Sequence, residues 1–213
     1  MVTWDPIAAR ERSRAIVNSS GFPQPPDWYP NIERGLLRPA HEVEDRALAL
    51  NVVINCSYEM PTDMARSWLT VNGLEESLTA GERQYLANID NGAAPDSYGH
   101  QLQIEALWIL AWAVSLAPAV DWAGYCEDTL ASWLPDLRAT EDPRRFRAST
   151  SLREDSSVLD ELDAAFCLTW GCAEANLRGQ SAPGGIRQYV MWERRRALEW
   201  LMGGDWDNPD YNT

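Results

Sequence analysis

The 213-residue chain has no lysine; all 18 of its basic residues are arginine. Schiff-base catalysis on a lysine amine is therefore excluded. Histidine is almost as scarce. Neither His41 nor His100 lies four residues from another histidine or three after a glutamate, so the zincin helix and the Glu-x-x-His device of di-iron bundles are absent. The cysteines, Cys56, Cys126, Cys167 and Cys172, show no C-x-x-C spacing, which leaves structural thiols in a reducing compartment as their reading. No GxSxG, P-loop or GxGxxG stretch occurs, so common signatures of hydrolases, NTPases and dinucleotide enzymes are missing. Long hydrophobic runs are missing too. The most apolar stretch, residues 104–120, is broken by Glu105, Ser115 and Pro118, and the opening MVTWDPIAARERSR carries charge where a secretory signal is apolar. Neither a membrane span nor an export signal is expected, and the cytoplasm is the expected compartment. The period-two alternation of a half-buried strand is absent except for a short piece near Phe146.

What is present is acid. Aspartate and glutamate number 32, giving a formal charge of -14. Such a field repels phosphate backbones and steers basic partners in. No nucleic-acid partner is expected, whereas a basic protein partner is. Hydrophobic residues at 45% and charged residues at 23% are those of an ordinary folded protein. With no break in composition, the expectation is one compact all-α domain over residues 1–213.

Asp5 before Pro6 combines an N-cap with a first-turn proline and predicts a helix running toward Gly21. Residues 22–38, FPQPPDWYPNIERGLLR, are too rich in proline for a helix. They predict an ordered loop anchored by Trp28, Tyr29, Leu36 and Leu37, with a binding loop as the alternative. Pro39 opens a largely buried helix that Pro61 ends, and Thr62 or Asp63 caps another closed by Asn72 and Gly73. Thr79 and Glu82 match a capping box. Residues 102–116 are apolar around most of their circumference and predict the central, most enclosed helix. Residues 121–134 read as a further helix between prolines. Residues 136–153 are the least regular and most basic section, with Arg138, Arg144, Arg145, Arg147 and Arg153 either binding an anion or neutralising nearby acidic helices. In the last third, apolar residues recur at three- and four-residue steps from Val158 to Trp170 and again from Ile186 to Leu201. They predict two helices around a Gly-rich turn, the second stopped by Gly203 and Gly204, for about eight helices in all.

Three stretches taken together carry a resemblance: EALWILAWAVSL at 105–116, LREDSSVLDELDAAFCLTWGCAEA at 152–175 and GGIRQYVMWERRRALEWLMGGDWDNPDYNT at 184–213. With RERSRAIVNSSGFPQPPDWYP and RPAHEVEDRALAL near the start, they resemble the bacterial family catalogued as domain of unknown function 4272. The resemblance covers nearly the whole chain and implies a single helical domain, with no assigned activity, cofactor or catalytic residue. The family's usual close is an Asp-Thr pair, where this chain has Asn212 and Thr213.

Two functional classes stay open. The first is a non-enzymatic acidic protein that binds and masks a basic partner, as immunity proteins of bacterial toxin systems do. Its candidate surface is Trp28, Tyr29, Asp160, Glu161, Asp163, Trp206 and Asp207, because tryptophan in irregular segments is a hot-spot residue and carboxylates complement a basic face. The second is an enzyme or small-ligand binder with a polar site between the central helix and the C-terminal helices. That site would draw on Arg46, Glu105, Arg153, Asp163, Trp170, Arg194 and Arg195, charged or aromatic residues beside buried faces, a pattern that structural ion pairs explain as well. A buried Glu105 needs a partner, Arg46 and Arg194 being the foremost. No cofactor or metal is expected. The acidic cluster nearest to a cation site is Asp205, Asp207 and Asp210, which lacks the remaining EF-hand spacing. Most of the 11 tryptophans lie on apolar helical faces and are read as core.

Overall fold

Most of the local helix signals produce helices where the spacing predicts them. The computed structural model describes residues 4–93, 97–181 and 187–209, and every regular element among them is helical. In chain order the α-helices are α1 (Pro6–Ser19), α2 (Ala40–Ser57), α3 (Thr62–Asn72), α4 (Ala80–Asp90), α5 (Tyr98–Leu102), α6 (Ile104–Ala113), α7 (Leu130–Trp133), α8 (Arg144–Ala148), α9 (Asp155–Leu177) and α10 (Gln188–Leu201), with a 3-10 turn at Glu75–Ser77 before α4. At α1 the Asp5 carboxylate accepts from the Ile7 and Ala8 amides. At α4 the capping box is complete: Thr79 Oγ1 accepts from the Glu82 amide, and the Glu82 carboxylate accepts from the Thr79 amide. The one-turn helices α5 and α8 add to those expected. Ile186 lies outside the described residues.

The chain falls into two compact units. One comprises Arg38–Pro118 and Cys126–Leu152. Here α2 lies against α6 and also meets α3, α4 and α5. Every residue of α6 from Glu105 to Ala113 is buried, as the central helix expected over 102–116 should be, although the turn at Gln103 separates α5 from α6. Each large apolar side chain so enclosed contributes about 1.5–3 kcal/mol. The basic section answers charges in its own unit: Arg144 pairs with Asp142, Arg145 with Glu141, and Arg147 with both Glu44 and Asp45.

The other unit comprises Met1–Leu37, Ala119–Tyr125 and Arg153–Thr213. Its axis is α9, which packs against both α1 and α10. The helix expected over 121–134 is confined to the single turn of α7, and the reason lies partly in this unit. The carbonyls of Asp121 and Gly124 accept from the buried Arg194 guanidinium, and the Asp121 carboxylate accepts from the Ala123 amide at 2.8 Å. Those bonds hold the segment in a turn and take carbonyls that a helix would use.

Candidate functional site

The loop from residue 22 to residue 37 is held down along its length by the unit that contains it. At its start Phe22 is buried against Gly171 of α9, where a Cβ would come within 3.0 Å of both the Phe22 Cβ and the Pro23 carbonyl. At its end Gly35 lies so close to Met202 that a Cβ would overlap the Met202 carbonyl. Between these points α1 supplies the ties. Gln24 donates to the Arg14 carbonyl at 2.9 Å, and Arg14 pairs with Asp27 at 2.8 Å. Arg10 is the central tie: its guanidinium donates to the Tyr29 carbonyl at 3.2 Å and the Pro30 carbonyl at 2.8 Å while pairing with Asp163 of α9 at 2.8 Å.

The chemistry beneath the loop is a closed stack. The Tyr29 ring lies on Phe166 with centroids 4.6 Å apart and meets Trp170 at 6.0 Å. The Arg195 guanidinium sits 4.8 Å from the Phe166 centroid, donates to Thr169 at 2.9 Å and pairs with Glu199 at 2.6 Å. Burial raises the Tyr29 phenol above its ordinary pKa, and its hydroxyl is buried without a hydrogen-bond partner among the described residues. In contrast Trp28, the neighbour of Tyr29, is 78% exposed, and Leu36 is 87% exposed. Beside the loop lies a cavity of about 540 Å³ lined by residues 30–35, Leu162 and Phe166 of α9, Arg195 and Glu199 of α10, and Met202, Gly204, Asp205 and Asn208.

The sequence-predicted residues divide accordingly. Of the candidate binding surface, Trp28 and Asp207 are exposed. Tyr29, Asp163 and Trp206 are corrected to buried positions: Tyr29 in its stack, Asp163 at 1% exposure with Arg10, and Trp206 edge-on to Trp200 at 5.9 Å. Leu36, read as an anchor, faces outward. Asp160 accepts from the Trp4 indole and pairs with Arg12, while Glu161 accepts from the Trp122 indole at 2.8 Å. Burial raises the Glu161 carboxyl above the usual range. Asp160, Glu161 and Asp163 therefore do not form one free acidic face, and reversing their charges would break internal contacts.

The polar set is split between the units, with Arg46 and Glu105 in one and Arg153, Asp163, Trp170, Arg194 and Arg195 in the other. Arg46 grips Glu82 through two bonds of 2.8 and 2.5 Å, and Glu105 accepts from the Cys126 amide at 2.9 Å. Arg194 serves backbone carbonyls, as described above. Arg10 was not singled out by the sequence, yet it shares a helical stripe with the buried Ala9, Ser13 and Val17, which was the available signal.

Burial pushes the Cys56, Cys167 and Cys172 thiols up to about 12, so they are protonated at neutral pH and poor nucleophiles. Among the described residues, no group of three or more His, Cys, Asp or Glu is placed to hold a metal, and no helix is long and apolar enough to cross a membrane. Asp205 accepts from the Asp207 and Asn208 amides; Asp210, with Asn212 and Thr213, lies outside the described residues. On α10, Glu193 is buried and its carboxyl is raised by that burial, with Arg196 at 3.2 Å opposing the shift. The folded protein then holds a proton that the unfolded chain releases, so stability falls as pH rises from the ordinary 4.5 through the raised value. Urea melts should find Glu193→Gln more stable than the parent at pH 7 and no more stable at about pH 4. Equal stability at both pH values would show that Glu193 is solvated.

One family model matches, described as domain of unknown function (DUF4272), over residues 9–209. No curated protein and no solved structure matches the chain.

Proposed function

The chain belongs to the DUF4272 family, and from that premise and the geometry above we propose that it is a non-enzymatic protein-binding domain that presents Trp28 to a basic partner protein. The carrying observation is the contrast within two adjacent residues: Trp28 stands in solvent while Tyr29 is locked beneath it by Arg10, Asp163 and Phe166. An exposed indole on a tethered loop costs little entropy to engage, which is the property of an interface hot spot. The charge of -14 supports a basic partner. So does the pairing of many arginines with carboxylates of the same chain, which leaves acid in excess. Masking of a basic bacterial toxin by a cytoplasmic immunity protein is the class of activity this format fits.

The test is capture of a stoichiometric partner by the full-length tagged protein, eluted with a salt gradient, followed by titration with the purified partner. Trp28→Ala should weaken that affinity by about 2 kcal/mol, roughly thirtyfold, and leave the melting temperature unchanged. Unchanged affinity in Trp28→Ala sinks the reading. The alternative, a small-ligand binder, is favoured by the cavity beside the loop and would show as thermal stabilisation by a metabolite in the absence of any protein partner.

A further inference from the structure

The cavity beside the Trp28 loop has a charge balance of its own. Arg195 is answered within the cavity by Glu199 at 2.6 Å, and Arg34 by Asp155 outside its lining. That leaves Glu33 and Asp205, both exposed, as the carboxylates with no arginine of the lining matched to them. The Asn208 side chain and the backbone amides of Asp207 and Asn208 donate to Asp205 and lower its pKa. An anionic ligand would meet two carboxylates and be repelled by them, whereas a cation would be attracted. The lining also includes apolar side chains, Leu162, Phe166 and Met202 among them. Leu162 and Met202, both largely buried, and Phe166, whose ring already carries Tyr29 and Arg195, offer an aliphatic chain the small apolar area they present to the cavity. A volume of about 540 Å³ admits a long side chain together with water.

We propose that this cavity receives an arginine or lysine side chain of the protein partner, its aliphatic stem against Leu162, Phe166 and Met202 and its cation between Glu33 and Asp205. The proposal rests on the protein-binding reading above and supplies the second contact beside Trp28. It accounts for recognition of a basic partner by a built pocket in addition to the general field of the acidic surface, because a stem and a terminal cation must both be present.

The probes are three blocked pentapeptides, Gly-Gly-X-Gly-Gly with X as arginine, lysine or citrulline, titrated into the full-length protein with backbone amides followed by NMR. The arginine or lysine peptide should shift the Gly35 and Asn208 amides saturably in the millimolar range, with neutral citrulline about fivefold weaker or more. The double variant Glu33→Gln/Asp205→Asn should lose about fivefold for the charged peptides, as expected for two partly exposed ion pairs. Citrulline binding as well as arginine, shifts confined to other regions, or no saturable shift up to about 20 mM overturns the proposal. Trp28→Ala should leave these peptide titrations unaltered, so the two readings fail separately. Peptide binding with intact partner affinity in Trp28→Ala sinks only the earlier reading, and the converse result sinks only this one.

Discussion

Asp163→Asn is expected to destabilise the protein by about 3–5 kcal/mol, because it leaves the Arg10 guanidinium buried without its counter-charge. The substitution keeps the volume, so cavity formation does not contribute. Arg10 and Asp163 are both buried, and the pair makes three bonds of 2.8 to 3.2 Å. A thermal melt should fall by roughly 6–20 °C for a chain of this size. A loss under about 1 kcal/mol would mean that Arg10 reaches water when freed.

Removing both charges, as Arg10→Met/Asp163→Leu, separates the ion pair from the loop tie. The double variant should regain part of the lost stability, since buried pairs are often replaceable by apolar side chains. It nevertheless leaves the Tyr29 and Pro30 carbonyls without the donor that Arg10 provides. The loop should then loosen, and partner affinity should fall although Trp28 is intact, because a mobile indole must be ordered on binding.

Glu82→Ala is expected to cost at least as much in the other unit. Glu82 closes the capping box of α4 and also receives both bonds from Arg46, which is 3% exposed and donates to the Ser77 carbonyl as well. Loss of the carboxylate takes two charge-assisted hydrogen bonds from that buried guanidinium, for about 3–5 kcal/mol. Thr79→Ala removes only the cap, for about 1 kcal/mol. Urea melts of both variants apportion the two roles; equal losses would show that the ion pair contributes nothing beyond the cap.

The helices were legible because their signals are short-range. Asp5 with Pro6, Thr79 with Glu82, and the three- and four-residue apolar steps of α9 act within one or two turns, where backbone geometry alone decides who meets whom. Segment 121–134 misled for the same reason in reverse. Its helical pattern is real, but Arg194, some 70 residues away, claims the Asp121 and Gly124 carbonyls.

The candidate site was legible by residue type and not by partner. Trp28 stood out as a tryptophan in a Pro-rich segment, and the structure places it in solvent; Trp206 carried the same signature and is buried against Trp200. No local pattern separates those outcomes, because exposure depends on whether another element arrives to cover the ring.

By itself the sequence determined an acidic, all-helical chain, the positions of its main helices and their caps, and the absence of the common catalytic motifs. Only the tertiary structure decided which charges are spent inside. Arg10 meets Asp163 across 153 residues, Arg46 meets Glu82 across 36, and Glu33 and Asp205 come to line one cavity. Burying a charge demands a counter-charge, but electrostatics does not say which of many carboxylates supplies it; packing of α9 against α1 and α10 made that choice in the unit that carries the Trp28 loop.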